Sequence, residues 1–133
     1  MANRNFPSDR VFNFQHGCVL ISGKFSVAAG AITAGTIHGE GFLATYTGAG
    51  DYLITTRDPY RHVVAFGANL GLTTPVADYI VNCGIPGGGA GAVVTMTIDC
   101  FDTATTTAAD PAAAADEVSF WLLLSNHQQD AVR

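Results

Sequence analysis

Apolar and polar residues alternate with a period of two in the two clearest segments of the chain. In residues 18–27 (CVLISGKFSV), apolar or small residues share one parity, and Ser22, Lys24 and Ser26 occupy the other. In residues 93–101 (VVTMTIDCF), a set of threonines and Asp99 alternates with apolar residues in the same way. Alternate side chains of a strand point to opposite faces of its sheet. Both segments are therefore predicted to be half-buried β-strands.

Shorter apolar runs predict further strands, at residues 32–37, 42–46, 52–56, 61–72 and 77–83. The glycines of residues 47–51 predict a hairpin loop, because glycine adopts positive φ without steric cost. Asp58 and Pro59 predict a second turn. The last strand, residues 118–125 (VSFWLLLS), is apolar on both faces, so it either lies centrally in a sandwich or meets a neighbouring subunit.

Two low-complexity segments are predicted to be loops. Residues 84–92 (GIPGGGAGA) are expected to be too flexible for a strand and to connect two strands. Residues 102–117 combine alanines, a threonine run and Pro111, which predicts a long surface loop with up to one helical turn. Asp116 and Glu117, at its end, are expected to be solvated.

Seven or eight short strands without a convincing helix predict an all-β fold, an antiparallel β-sandwich of jelly-roll type with long loops. A chain of 133 residues is long enough for one such domain. We assign residues 1–16 to an N-terminal arm, residues 17–126 to the sandwich, and residues 127–133 to a flexible C-terminal tail.

The surface is poor in charge, which bears on association. Charged residues make up 13% of the chain and apolar residues 48%, against about 25% charged in ordinary soluble domains. This favours a surface partly covered by partner subunits; a small, alanine-rich monomer is the alternative. The net charge of −5 and six scattered Lys and Arg argue against direct nucleic-acid binding.

Targeting signals are not evident in the sequence. The N-terminal residues MANRNFPSDR lack the apolar core of a signal peptide, and the apolar run FWLLL is far short of the roughly 20 residues of a membrane span. We therefore expect synthesis in a cytoplasm and no membrane association.

Cysteine and histidine offer no metal-binding or disulfide pattern. Three widely spaced cysteines, without a Cys-x-x-Cys pair, are predicted to be buried free thiols: Cys18, Cys83 and Cys100. Four histidines show no ligand spacing for zinc: His16, His38, His62 and His127. We predict no metal and no cofactor.

The sequence offers equally little evidence for catalytic residues. The polar cluster in residues 48–66 (GAGDYLITTRDPYRHVVAF) is interpreted as the turns that begin and end the strands of a hairpin, with Tyr52 in the core. Asp99 and Asp102 flank an apolar pair and make only a poor cation site. The segment 84–92 lacks the Gly-Lys-Ser/Thr ending of a phosphate loop, and no nucleophile motif is present. The sequence therefore predicts a protein that is not an enzyme.

One spacing in this cluster is similar to that of a known family. The pattern Gly-x-Tyr-x-Ile-x-x-x-Asp-x-Tyr, formed here by Gly50, Tyr52, Ile54, Asp58 and Tyr60, resembles a signature of small structural proteins of tailed bacteriophages, including cyanophages. The opening MANRNF and the order of elements are similar too. Gly-x-Tyr before a strand also occurs in trimeric jelly rolls of the C1q and tumour-necrosis-factor type, which implies homotrimers packed through apolar sheet faces.

The resemblance implies a capsid cement, or decoration, protein. It would sit on the outside of an icosahedral head as a homotrimer and bridge subunits of the major capsid protein. We assign subunit packing to Phe120, Trp121 and Leu123. Contact with the capsid is assigned to the N-terminal arm, through Arg4, Phe6, Arg10 and Phe12. The alternative is a trimeric knob or tail-associated adhesin that recognises a host receptor.

Overall fold

The computed structural model describes residues 18–74 and 79–125. Within these ranges the chain forms eleven β-strands and no helix. Extended structure is favoured by the two-residue alternation and by the many β-branched and aromatic residues. The strands are β1 (Cys18–Ala28), β2 (Ala31–Ile32), β3 (His38–Gly39), β4 (Phe42–Gly48), β5 (Asp51–Tyr60), β6 (His62–Gly71), β7 (Tyr79–Cys83), β8 (Gly87–Gly89), β9 (Ala92–Asp102), β10 (Thr107–Ala108) and β11 (Glu117–Ser125).

The strands form two antiparallel sheets. Sheet I has the order β2-β1-β11-β6, and β3 also pairs with β1. Sheet II has the order β4-β5-β9-β10, and β7 and β8 also pair with β9. Asp99 of β9 lies between Asp51 of β5 and Asn82 of β7, so β5 and β7 flank β9 on opposite edges. The prediction of an all-β antiparallel sandwich is confirmed, and the jelly-roll type stays a prediction.

The core lies between the sheets and is built by the apolar parity of each strand. Phe25 of β1 meets Tyr52 of β5 edge to face, with ring centroids 5.3 Å apart. Phe42 of β4 meets Phe120 of β11 in the same way at 4.8 Å. Such pairs contribute about 0.5–1.5 kcal/mol beyond the burial of their area. Around them lie the other buried apolar side chains: Ile21, Val27, Ile54, Tyr60, Val94, Met96, Ile98, Cys100, Val118, Leu122 and Leu124.

Gly23 makes room for one of these rings. A Cβ at Gly23 would overlap the Phe42 ring, and Gly23 is the register partner of Phe120. The break in the apolar alternation of β1 is therefore where an aromatic side chain of the opposite sheet reaches the backbone of sheet I.

The glycine-rich segment 84–92 contains a short strand, β8, that pairs with β9, so the prediction that it is too flexible for a strand is wrong. Gly87 and Gly89 pair with Thr95 and Ala92 of β9, and the Gly84 N–H donates to the Thr97 carbonyl at 2.9 Å. A Cβ at Gly88 would overlap the Val93 carbonyl. The glycines thus allow the backbone to approach β9 closely.

The second turn is also displaced from its predicted position. Asp58 and Pro59 lie within β5, where the register with β9 shifts between Thr55 and Pro59. At Arg61 the chain passes from β5 in sheet II to β6 in sheet I. Proline is tolerated here because an irregular stretch of strand does not require every N–H for the ladder.

Candidate protein-interaction surfaces

The outer surface of sheet I has exposed apolar side chains in its middle and an ion pair between Lys24 and Glu117 towards one end. We call it face I and define it by Leu20 and Ser22 of β1, Trp121 and Leu123 of β11, and Gly67 of β6. Leu20 is 63% exposed and Trp121 is 38% exposed. Leu20 is the register partner of Leu123, and Ser22 that of Trp121, so these residues lie in two adjacent rows. Exposed apolar residues that share one face are typical of association surfaces.

Trp121 is held on face I by a glycine. Gly67 is its register partner on β6, and a Cβ at Gly67 would lie 2.6 Å from the indole Nε1. The absence of a side chain at Gly67 therefore allows the indole to lie against the neighbouring strand.

The structure separates the three residues assigned to subunit packing. Phe120 is 3% exposed and lies in the core against Phe42. Trp121 and Leu123 have the opposite parity and belong to face I. The apolar character of β11 on both faces thus has two causes, since one face fills the core and the other is presented outward. Phe120 packs within its own chain, which leaves Trp121 and Leu123 available to a partner.

The outer surface of sheet II is a second candidate surface. We call it face II and define it by the outward residues of four strands: Leu43, Thr45, Asp51, Leu53, Thr55, Arg57, Ile80, Asn82, Thr95, Thr97 and Asp99. Leu43 is 53% exposed, and Ile80 is similarly exposed. Leu53 lies between Thr45 and Thr97 in one row, and Thr55 lies between Leu43 and Thr95 in the next. Its middle is therefore uncharged, with threonine and leucine side chains side by side.

Two carboxyl groups lie together at one end of face II. Asp51 of β5 and Asp99 of β9 are register partners. Burial raises the pKa of Asp99, and the charge of Asp51 and a hydrogen bond with it raise that pKa further. Like charges opposite each other destabilise a sheet. Sequence reasoning compared Asp99 with Asp102 and missed this pair, because only the strand register brings Asp51 beside Asp99.

An isoleucine projects beside face II. Ile85, between β7 and β8, is 88% exposed. Its neighbour Gly84 is bonded to Thr97 of β9, and a Cβ at Gly84 would overlap the Thr97 hydroxyl. The exposed side chain is thus carried by a segment whose backbone is fixed to the sheet.

The segment between β9 and β11 is fastened to the sandwich by two aspartates, and it contains no helical turn. The Asp110 carboxylate accepts hydrogen bonds from the Tyr46 hydroxyl at 2.9 Å, the Tyr52 hydroxyl at 2.8 Å and the Gly50 N–H at 2.8 Å. Burial raises the pKa of Tyr52, and its bond to Asp110 raises it further. Asp110 therefore joins this segment to the β4–β5 hairpin.

Asp116 makes the second attachment, so the expectation that it is solvated is wrong. It is buried and accepts hydrogen bonds from the Thr73 N–H at 2.8 Å, the Thr73 hydroxyl at 2.9 Å and the Ala113 N–H at 3.1 Å. Burial alone would raise the pKa of Asp116, but these bonds outweigh it and the pKa is lowered. The attachment stabilises the fold above the unfolded-state pKa, and this stabilisation is lost as the pH falls through the folded-state pKa.

Replacement of Asp110 by alanine should lower the free energy of unfolding by about 2–3 kcal/mol, because two tyrosine hydroxyls and one N–H lose an ionised acceptor. The matched control is Asp102→Ala, whose carboxylate accepts only an exposed bond from the Ala104 N–H and should cost about 0.5 kcal/mol. Urea unfolding followed by circular dichroism measures both. Equal losses would contradict the role given to Asp110.

The remaining reactive groups do not converge. Among residues 18–74 and 79–125, no group of three or more His, Cys, Asp or Glu side chains could hold a metal ion. Cys100 is buried, and burial raises its thiol pKa to about 11. Cys18 and Cys83 are partly exposed rather than buried. In the same described ranges, no helix is long and apolar enough to cross a membrane.

The residues assigned to capsid contact, Arg4, Phe6, Arg10 and Phe12, lie outside the described residues, as do the arm and the tail. No protein-family model, no curated protein and no solved structure matches the chain. The fold is an all-β sandwich with exposed apolar side chains on the outer faces of both sheets.

Proposed function

We propose that this chain is a structural protein of a phage particle, a capsid cement protein that acts by binding other proteins rather than by catalysis. The observation that carries the proposal is the exposure of apolar side chains on both outer faces of the sandwich, Leu20 and Trp121 on face I and Leu43 and Ile80 on face II. Because the two faces point in opposite directions, one chain can contact two neighbours, which is the geometry that bridging requires.

Composition and resemblance support the same function. With 13% charged residues, the surface lacks the charge that would keep isolated chains apart. The pattern around Gly50, Tyr52 and Tyr60 is similar to that of phage structural proteins. Its residues act in the fold, since Gly50 and Tyr52 bond to Asp110 and Tyr60 is in the core.

In the proposed arrangement the contacts are divided between the faces and the arm. Face I, through Trp121 and Leu123, joins copies into a trimer. The N-terminal arm reaches the major capsid protein through Arg4, Phe6, Arg10 and Phe12. A protein that binds only the assembled shell stabilises it by mass action, and three arms held on one trimer act together through their effective concentration. The chain would then lie on the capsid exterior.

Particle composition and reconstitution test this proposal. Mass spectrometry of purified source particles should find the chain in many copies, and electron microscopy should place it on the outside of the head. Heads that lack the chain should bind the purified protein, whereas a variant without residues 1–12 should lose attachment. Removal of residues 127–133 is the control and should leave binding unchanged. Heads that never carry the full chain would refute the function, and binding without residues 1–12 would refute the role of the arm.

A further inference from the structure

Face II carries opposite charges at its two ends. Asp51, beside Asp99, lies at one end of the outward row of β5, and Arg57 is exposed at the other end. Ile54 is midway between Asp51 and Arg57, three residues from each. At about 3.3 Å per residue of regular strand, Asp51 is roughly 10 Å from that midpoint, and Arg57, in the irregular stretch that follows Thr55, lies no farther from it.

The surface between the charges is suited to packing against a similar surface. Leu53 and Thr55 lie on either side of Ile54 and face outward, with Leu43 and Thr45 in the same rows on β4. These side chains are short or branched and uncharged. A second sheet can therefore approach the middle of face II without burying an unpaired charge.

We propose that face II binds face II of a second copy of this chain, with the two β5 strands antiparallel across a twofold axis that passes over Ile54. This arrangement places Asp51 of one copy opposite Arg57 of the other. A twofold contact forms each such pair twice. The guanidinium also approaches Asp99, and a cation there relieves the repulsion between the two adjacent carboxylates.

A second copy fits face II better than an unrelated partner because the order of charges is self-complementary. Arg57 uses its Nε–H for the Phe42 carbonyl at 3.3 Å, which leaves the other guanidinium N–H groups for a carboxylate. Asp58 follows Arg57 in the chain, and Glu40 precedes Gly41, whose carbonyl accepts the Arg57 N–H at 2.9 Å. The attraction therefore comes from close pairing with the guanidinium rather than from a net positive end. On face I, by contrast, Lys24 and Glu117 already pair with each other at 2.8 Å.

The twofold contact would extend the proposed function. Trimers formed through face I and linked through face II would make a continuous net over a head, in which each copy contacts its two trimer partners and one copy of a neighbouring trimer. The contact can be measured on the isolated chain, and only its role on a head rests on the proposed function.

Charge reversal in the full-length chain tests the contact. Trp121→Ala serves as the parent so that association through face I contributes little, and sedimentation equilibrium gives the dimerisation constant. Asp51→Arg and Arg57→Asp should each weaken dimerisation at least about tenfold, since close charge pairs at interfaces couple by about 1.5 kcal/mol or more. The variant with both changes should dimerise at least about fivefold more tightly than either single variant.

Three further variants keep the outcome clear. Lys24→Asp makes the same change in net charge on face I and should alter dimerisation less than about twofold. Asp51→Asn and Arg57→Gln replace the reversals if circular dichroism shows that a reversed variant is unfolded, and each should weaken dimerisation about three- to tenfold. The inference is overturned if the parent is monomeric at several hundred micromolar, if the double reversal is no tighter than the single ones, or if Lys24→Asp matches Arg57→Asp. Loss of head binding with normal charge-reversal behaviour would refute the proposed function alone.

Discussion

Phe120→Ala should lower the free energy of unfolding by about 4 kcal/mol. The ring is buried between the sheets and stacks edge to face on Phe42 at 4.8 Å. Its removal loses the transfer free energy of the ring and leaves a cavity in the core. Phe→Ala substitutions at such buried positions cost about 3–5 kcal/mol. Urea unfolding monitored by circular dichroism measures the change, with an unchanged slope showing that the native state keeps its compactness.

The adjacent residue supplies the control for this prediction. Trp121→Ala removes a larger ring from the outer surface and should cost less than about 1.5 kcal/mol of stability, because the indole is partly exposed and lies against Gly67 outside the core. Its main effect should be on association, seen as a lower weight-average mass in light scattering. A large loss of stability from Trp121→Ala together with a small one from Phe120→Ala would mean that the parity assigned to β11 is wrong.

Gly50→Ala should cost about 4 kcal/mol. Gly50 has a φ of +77°, where a Cβ is strained by about 1–3 kcal/mol. The added Cβ would also overlap the Cys100 carbonyl and lie 2.6 Å from the Ala109 nitrogen, both backbone groups held in hydrogen bonds. The hairpin would have to move away from β9 and would weaken the bond from the Gly50 N–H to Asp110.

Gly35→Ala is the matched control for Gly50→Ala. Gly35 has a nearly equal φ of +82°, but no atom lies within 4 Å of the position that a Cβ would take. At Gly35 an alanine would meet only the strain of a positive φ, so the expected loss of stability is about 1 kcal/mol. Thermal unfolding of the two variants side by side separates steric overlap from backbone strain. If both lose the same stability, the close approach of Gly50 to β9 contributes nothing.

Alternation predicted the strands where it was regular. Residues 18–27 and 93–101 are strands β1 and β9 almost as predicted, and Tyr52 is in the core as expected. The prediction was wrong for the glycine-rich segment 84–92, which reads locally as flexible. Glycine has no local preference for a strand, and β8 exists because β9 supplies the hydrogen-bonding partner.

The candidate surfaces were only partly accessible to sequence reasoning. The sequence of β11 indicated an apolar surface around Trp121 but could not say which parity faces outward, so Phe120 was assigned with it. The pairing of Asp51 with Asp99 joins residues 48 positions apart in the chain, and no local pattern marks it. Arg57 belongs to the polar cluster of residues 48–66, which was interpreted as the turns of a hairpin, whereas it lies in β5 on the surface that carries Asp51.

The sequence by itself determined that this protein is an antiparallel β-sandwich with little surface charge, because the two-residue period and the composition are properties of the chain alone. The tertiary structure alone decided which apolar residues are exposed, where Asp110 and Asp116 attach, and which charges share a face. These depend on strand register and sheet packing, which arise from contacts between residues far apart in sequence. A one-residue change of register would exchange the core and the outer faces, and the same composition would then present a different surface.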